Sequence, residues 1–354
     1  MVRAEGAQPW HKKQAHAMQQ ADIAKLYPPK ALHPELFAPS EVDGWFVPEL
    51  RQALAKWQQT GNRSDIDVAA IPGLRLEAPG VVSFDCLNPS VCDKLLAEAK
   101  HYADSGLPQR APNSMNNYGV VLTEIGMRPS FDEMLKRYTA GLGSLFFGED
   151  DVRPSQIDGK LRGQMNACWM VLTAADVCTN PLCLAGKPAE LENWGGDTLN
   201  DHHTFIVRYR PDEDRHLDMH VDECDVTFNF GLCDNSDFTG SELAFCGMFG
   251  TSAHRKHLHT YSHVKGRCVL HSGKRRHGAL NVETGERASL IMWTKSTVFR
   301  RTAAYKKRWG HSATIESESE SPDRICLSYT HDRDFFSLRR KLGDAVGVVP
   351  PGED

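Results

Sequence analysis

From Thr204 onward the sequence breaks into short β-type runs separated by turn residues. They are Phe205-Ile206-Val207, Val226 to Phe230, Leu243 to Phe245, Val269-Leu270 and Ala288 to Trp293. Each run is too short to bury a helix face and too apolar for a loop. Repeated at this spacing, such runs predict an all-β core, packed as a sandwich or a jelly roll.

The first 200 residues read differently. Residues 1 to 79 form an extension punctuated by Pro28, Pro29, Pro34, Pro39 and Pro48. One helix in it is well marked. Pro48 stands at a tolerated first helical position, Leu50, Ala53, Leu54 and Trp57 follow at helical spacing, and Gly61-Asn62 ends it. The main domain is expected over residues 80 to 302. Val81, Val82 and Phe84 predict a strand. Asn88 is the expected cap of a helix with Pro89 first and Leu95, Leu96, Ala99 and Tyr102 inward. A second helix is expected from Ser130 to Leu145, with Phe131, Met134, Leu135, Tyr138 and Leu142 buried.

Residues 153 to 197 read as an insertion, helical around Cys168 to Ala175 and otherwise broken by Asn180-Pro181, Gly186 and Gly195-Gly196. A C-terminal extension covers residues 303 to 354. It contains the acidic run Glu316 to Ser321, expected as a loop, and an apolar patch at Phe335, Phe336 and Leu338.

Composition excludes several classes. A net charge of -5 gives no global attraction to nucleic acid or anionic lipid. No apolar run approaches the roughly 20 residues that span a bilayer, and residues 1 to 30 show no secretory signal. The ten cysteines are scattered without a CxxC, which suits reduced thiols in a cytoplasmic or nuclear protein. Cys178 and Cys183 could pair or bind metal, but no second such pair accompanies them.

The chemistry concentrates in His220-Val221-Asp222, in His277 fifty-five residues after Asp222, and in Arg287 ten residues later. Two histidines and one carboxylate on one face of an ion form the triad of non-haem iron(II) oxygenases. Three positions then stay open, two for a chelating 2-oxo acid and one for dioxygen. The far carboxylate of that acid needs a fixed cation, and a guanidinium offers two parallel charge-assisted hydrogen bonds. Ser289 falls on the same strand face as Arg287 and could hold the same carboxylate. On spacing alone a plainer alternative stands: a surface His-Asp pair, a hairpin histidine and a strand-edge arginine.

Several segments resemble the 2-oxoglutarate- and iron(II)-dependent oxygenase domain family, within the prolyl-4-hydroxylase-like superfamily. They include Met115 to Leu122, Leu199 to His203, Phe205 to Tyr209, His220 to Asp222, Val226 to Asn229 and Phe238 to Leu243. His263 to Gly266, Val269 to His271, His277 to Ala279, Gly285 to Trp293 and Cys326 to Asp332 continue the match. The chain most resembles animal and plant oxygenase domain-containing proteins. That resemblance implies a double-stranded β-helix (jelly roll) with flanking α-helices and a helical N-terminal extension. It implies Fe(II) held by His220, Asp222 and His277, and 2-oxoglutarate held by Arg287, with Tyr209 as a second contact and Asn116 and Tyr118 at the pocket.

The implied activity is a dioxygenase that oxidises an unactivated C–H bond and releases succinate and CO2. Hydroxylation, desaturation and oxidative cyclisation all fit. Asp222 disfavours halogenation, since halogenating relatives have Gly or Ala there. A small molecule such as an amino-acid derivative is the expected substrate, with a peptidyl side chain as the alternative and a non-catalytic binding protein as a third reading. Neither nucleic acid nor membrane is an expected partner. Two departures stand out: Gly240-Ser241 where the family often has Gly-Gly, and the length of the 153 to 197 segment. His254, His257, His259 and His263 are expected as polar loop residues, one of His202 and His203 at the site, and Lys274 to Arg276 and Lys306 to Arg308 as solvated basic runs.

Overall fold

The computed structural model describes residues 21–148, 195–249, 251, 253–303 and 305–306. The expected helix at Cys168 to Ala175, the Cys178/Cys183 pair, the acidic run and Phe335 to Leu338 lie outside them.

The β core opens with β1 (Arg75–Ala78), β2 (Val81–Asp85) and β3 (Gly119–Val121). It continues through β4 (Asp201–Tyr209), β5 (Leu217–His220), β6 (Val226–Gly231), β7 (Phe238–Gly240), β8 (Leu243–Met248) and β9 (His257–Tyr261). It closes with β10 (Arg267–Ser272), β11 (Arg275–Ala279), β12 (Val282–Gly285) and β13 (Arg287–Lys295). A seven-stranded sheet runs β1-β2-β10-β6-β13-β4-β3, a four-stranded sheet runs β5-β11-β8-β9, and β12 pairs with β7. All pairings within these sheets are antiparallel. From β4 to β13 the chain crosses repeatedly between the two larger sheets, with β8 and β9 consecutive in the smaller one and β7 and β12 paired apart. The fold is therefore mainly β, a double-stranded β-helix with flanking helices.

Period-two alternation assigns the faces of the large sheet. Ile206, Phe228, Phe230, Leu270, Leu290 and Met292 join the cluster that includes the helices. Their neighbours Phe205, Val207, Tyr209, Val269 and Ile291 belong to a second cluster with Leu243 and Phe245 of the small sheet. The space between the sheets is thus lined by alternate residues of β4, β6, β10 and β13.

The helices cover the outer face. α1 (Pro48–Thr60) buries Leu50, Ala53, Leu54 and Trp57, and Gly61 closes it at φ 66 with its N–H on the Trp57 carbonyl. α2 (Pro89–Asp104) has Pro89 first, as expected, yet Asn88 does not cap it with its side chain. That amide donates to the Gly44 and Phe46 carbonyls instead, tying the extension to the helix start. α3 (Arg128–Met134) passes through a π-type turn (Leu135–Thr139) into α4 (Ala140–Phe147). α5 (Thr297–Arg301) follows β13, with the Ser296 hydroxyl accepting from the Phe299 N–H. Buried Glu98 of α2 accepts from the Tyr27 hydroxyl and from the N–H groups of Leu32 and His33, and so pins the start of the described chain.

Cys86, Cys92, Cys224, Cys233 and Cys268 are free and buried. Cys246 is disulfide-bonded, a departure from the all-thiol expectation. Among the described residues no helix is long and apolar enough to cross a membrane.

Candidate metal centre

His220 ends β5 and His277 lies in β11, and the two are directly opposed in the ladder. Their rings are 4.4 Å apart. Asp222 stands just past β5, where its N–H donates to the Gly273 carbonyl at 2.8 Å. This turn brings its carboxylate back over the two rings. Oδ1 is 3.3 Å from His220 Nε2 and Oδ2 is 3.6 Å from His277 Nε2. One ligand atom from each of the three lies within 4.8 Å of the others, and all three residues are buried. No other such group occurs among the described residues.

The donor chemistry fits a divalent ion. His220 Nδ1 donates to the Asp218 carbonyl at 2.7 Å, and His277 Nδ1 donates to the Arg275 carbonyl at 2.9 Å. A carbonyl only accepts, so each neutral ring carries its proton on Nδ1 and turns the Nε2 lone pair toward Asp222. Two atoms bound at right angles to one ion at about 2.1 Å stand about 3 Å apart. The two carboxylate–imidazole spacings need only a small contraction to reach that. The Thr227 hydroxyl donates to Asp222 Oδ2 and orients the carboxylate.

Electrostatics keep Asp222 and His277 deprotonated. Burial raises the Asp222 carboxyl, but His277 and His220 outweigh this and hold it below the ordinary carboxylate range. Burial pushes His277 down to about 3. His271, fully buried with its ring 4.5 Å from that of His277, is pushed down to about 4 for the same reason.

Arg287 begins β13 opposite Tyr209 of β4 and is 1% exposed. Its guanidinium lies over the Tyr209 ring at 4.8 Å. Nη1 donates to the carbonyl and hydroxyl of Ser241, and Nη2 donates to the Ser289 hydroxyl. All these partners are neutral, and Nε has none. A buried cation whose hydrogen-bond partners among the described residues are all uncharged is suited to an incoming carboxylate. The Tyr209 hydroxyl accepts from Asn116 Nδ2 at 3.1 Å.

One pocket joins the two ends. Arg287, His220, Asp222 and His277 line it together with Asn116, Asn229 and an apolar set that includes Phe205, Ile291 and Trp293. Strand register orders the floor. Thr227 faces Trp293, Asn229 faces Ile291, and Gly231 faces Ser289, so Asn229 lies midway between the carboxylate of the triad and the guanidinium. Its Oδ1 is buried without a partner. Sequence reasoning missed both Thr227 and Asn229. The signal available was parity alone, Thr227, Asn229 and Gly231 being the inward positions of β6.

Other expectations fare unevenly. Asn116 lines the pocket, while Tyr118 is 39% exposed, with Arg208 over its ring. His203 lies at a tilt beside Phe205 and Trp293, two residues of the pocket wall, without lining the pocket itself. His202 turns to Asp132 and Thr204. The histidine group does not read as polar loop: His257 and His259 lie in β9, and His254 and His263 are buried. Lys274 to Arg276 is not a solvated run either. Arg275 and Arg276 are buried in β11, and Arg275 donates to the Cys246 and Pro79 carbonyls. Ser241 touches the site through Arg287. Among the described residues it is the one non-glycine with positive φ, at 63°.

Known proteins bear on this geometry. A family model for an OGFOD2-like domain matches residues 23–151, ahead of the strands that carry the triad. The 2-oxoglutarate and iron-dependent oxygenase domain-containing protein ICU11 of Arabidopsis thaliana is 28% identical over 306 residues, covering 83% of this chain and 63% of that protein. CP2 of the same plant is 28% identical over 343 residues, covering 93% and 70%. The human 2-oxoglutarate and iron-dependent oxygenase domain-containing protein 2 is 30% identical over 212 residues, covering 60% and 47%. The chain thus spans less than two thirds of the first and about half of the last. A Pseudomonas putida prolyl-4-hydroxylase structure aligns at a TM-score of 0.33 and 15% identity, over 61% of this chain and 92% of that one, too slight a likeness to carry weight. By sequence, then, this chain is similar to the 2-oxoglutarate and iron-dependent oxygenase domain-containing proteins, and its residues 23–151 match the model of an OGFOD2-like domain.

Proposed function

We propose that the chain is an Fe(II)- and 2-oxoglutarate-dependent dioxygenase acting on an unactivated C–H bond of a small molecule. The observation that carries this reading is one pocket holding the His220, Asp222 and His277 donors at one end and the buried Arg287 guanidinium at the other. Names of relatives supply iron and 2-oxoglutarate as the matching pair. Bound together with dioxygen, that pair supplies an oxidant for C–H bonds and releases succinate and carbon dioxide.

The protein's part is binding, orientation and the exclusion of water. His220 and His277 present Nε2 lone pairs fixed by their Nδ1 bonds, and Asp222 presents a carboxylate steadied by Thr227. Arg287 would take the far carboxylate of the co-substrate in a two-pronged contact, with Ser289 and Ser241 holding the fork in plane. Tyr209 backs the guanidinium, and Asn229 offers its amide to the co-substrate between the two ends.

Phe205, Ile291 and Trp293 give the pocket an apolar wall. Among the described residues Asp222 and Arg287 are its only acidic or basic lining apart from the two histidines. The reacting part of the substrate is therefore uncharged, because an ionic group there would lack a partner. The loop carrying Asn113, Met115 and Asn116 borders the pocket. Asp214 holds it at Asn117, and His203 donates to the Pro112 carbonyl. A wall fixed in this way favours a small molecule over a long peptide.

The reading is tested by anaerobic titration of Fe(II) and 2-oxoglutarate, followed by succinate release in air, for wild type and Asp222→Ala. Wild type should bind both and turn over, and Asp222→Ala should lose metal and succinate release while staying folded by circular dichroism. Normal succinate release by the variant would remove the assignment. Turnover stimulated by peptides but by no small molecule would move the substrate to a peptidyl side chain.

A further inference from the structure

A second group of buried polar atoms lies near Arg287, outside the pocket lining. Arg287 Nε, His263 Nε2 and the Tyr261 hydroxyl are each buried without a hydrogen-bond partner. Tyr261 and His263 are 5% and 4% exposed, with rings 5.6 Å apart and edge to face.

The backbone brings this group to the guanidinium by two routes. Tyr261 of β9 pairs with Leu243 of β8, two residues after Ser241, which accepts from Arg287 Nη1. The segment beyond β9 then crosses Gly231: a Cβ on Gly231 would stand 2.5 Å from the Val264 carbonyl oxygen. Gly231 in turn pairs with Ser289, which accepts from Arg287 Nη2. Residues 261 to 264 thus run beside both partners of the fork.

We propose that His263 is a positioning residue for Arg287, its Nε2 lone pair joined through one buried water to the Arg287 Nε–H. The polarities are complementary. A guanidinium Nε only donates, and a neutral imidazole has one ring nitrogen that only accepts. Burial and the nearby guanidinium keep His263 neutral, which leaves that acceptor available. A water between them, with the Tyr261 hydroxyl as a third partner, satisfies atoms that would otherwise be buried at a cost. Ser241 and Ser289 fix the two Nη atoms, and His263 fixes the third corner. With all three corners held, the plane of the fork is set before the co-substrate arrives. His263 does not line the pocket. It acts through Arg287.

The inference rests on the co-substrate reading above, and two readouts keep their failures apart. The first is anaerobic titration of 2-oxoglutarate against Mn(II)-loaded wild type, His263→Ala and His263→Gln. The alanine variant should bind about tenfold more weakly, with Mn(II) affinity unchanged. Glutamine keeps a carbonyl acceptor and should restore binding to within about twofold. The second is the Arg287 Nε–H signal in nuclear magnetic resonance, identified by its loss in Arg287→Lys. In wild type it should exchange slowly with water, in His263→Ala quickly, and in His263→Gln slowly again. Wild-type affinity in His263→Ala, equal weakening in both variants, or an Nε–H signal indifferent to position 263 would each overturn the proposal. Failure of the wild type to bind 2-oxoglutarate would remove the co-substrate reading, and the exchange measurement would still decide the role of His263.

Discussion

Arg287 shows how far one residue can be judged from its spacing. Its place ten residues after His277 was legible, and the structure buries it at the end of the pocket that also holds the triad. Ser289 and Tyr209 beside it were legible too, but Ser241 was not, because it reaches Arg287 from the turn between β7 and β8. Arg287→Ala should weaken 2-oxoglutarate by roughly 10²- to 10³-fold, since removing one partner of a buried charge pair costs about 3–5 kcal/mol. Lysine should be intermediate, keeping the charge but losing the fork. Anaerobic titration distinguishes these outcomes, and equal affinities would place the co-substrate elsewhere. Ser241 bears on the same contact. A left-handed φ of 63° strains a serine, and its hydroxyl accepts from Arg287. Ser241→Gly should therefore raise stability by up to about 1 kcal/mol while weakening 2-oxoglutarate, a pairing of opposite signs that urea unfolding and titration can check together. Thr227→Val preserves shape and removes the hydroxyl that holds Asp222. Metal affinity should fall about 10- to 100-fold with little change in melting temperature. Unchanged metal binding would show that the hydroxyl plays no part.

At the scale of elements, legibility followed composition. β2, β4, β6, β8, β10 and β13 announce themselves by aliphatic and aromatic runs because at least one of their faces packs on other apolar side chains. β11 is wholly buried yet reads Arg-Arg-His-Gly-Ala, and β5 reads Leu-Asp-Met-His. These strands spend their inward positions on chemistry, and their polar side chains are satisfied by carbonyls and by one another rather than by apolar burial. No hydropathy pattern marks such a strand. The helix α1 was legible throughout, since Pro48, the apolar stripe and Gly61 agree. The cap of α2 was half legible: the position was right, but the amide of Asn88 serves Gly44 and Phe46. Glu98 on the same helix was hidden, because a glutamate inside an amphipathic stripe looks like a surface residue. Glu98→Ala leaves Tyr27, Leu32 and His33 without their acceptor and should cost about 2–3 kcal/mol by urea unfolding. Glu98→Gln should cost clearly less, since an amide oxygen still accepts. Equal stability of wild type and Glu98→Ala would mean that the pinned segment adds nothing.

At the scale of the molecule, the extension and the outer face of the large sheet share one core. The cluster that contains Trp45 and Leu54 of the extension also contains Phe228 and Leu290 of the sheet. The extension should therefore melt with the β core in one transition rather than separately. Acid should undo that transition through the triad. His277 and His271 sit at about 3 and about 4 against an ordinary 6.5, and Asp222 is also depressed. Protons therefore bind the unfolded chain better than the folded one. The stability held by these histidines is complete above pH 6.5 and declines as pH falls toward their folded values. Melting temperatures of the metal-free protein should drop steadily from pH 7 to pH 4.5, and a flat profile would contradict this electrostatic picture. The ladder linking β6 to β13 has a further consequence. It sets Thr227, Asn229 and Gly231 against Trp293, Ile291 and Ser289 in fixed steps, so the distance from triad to guanidinium is counted in whole pleats. A pocket built that way would act as a ruler for the co-substrate proposed above, so an acid one methylene longer or shorter should bind more weakly than 2-oxoglutarate.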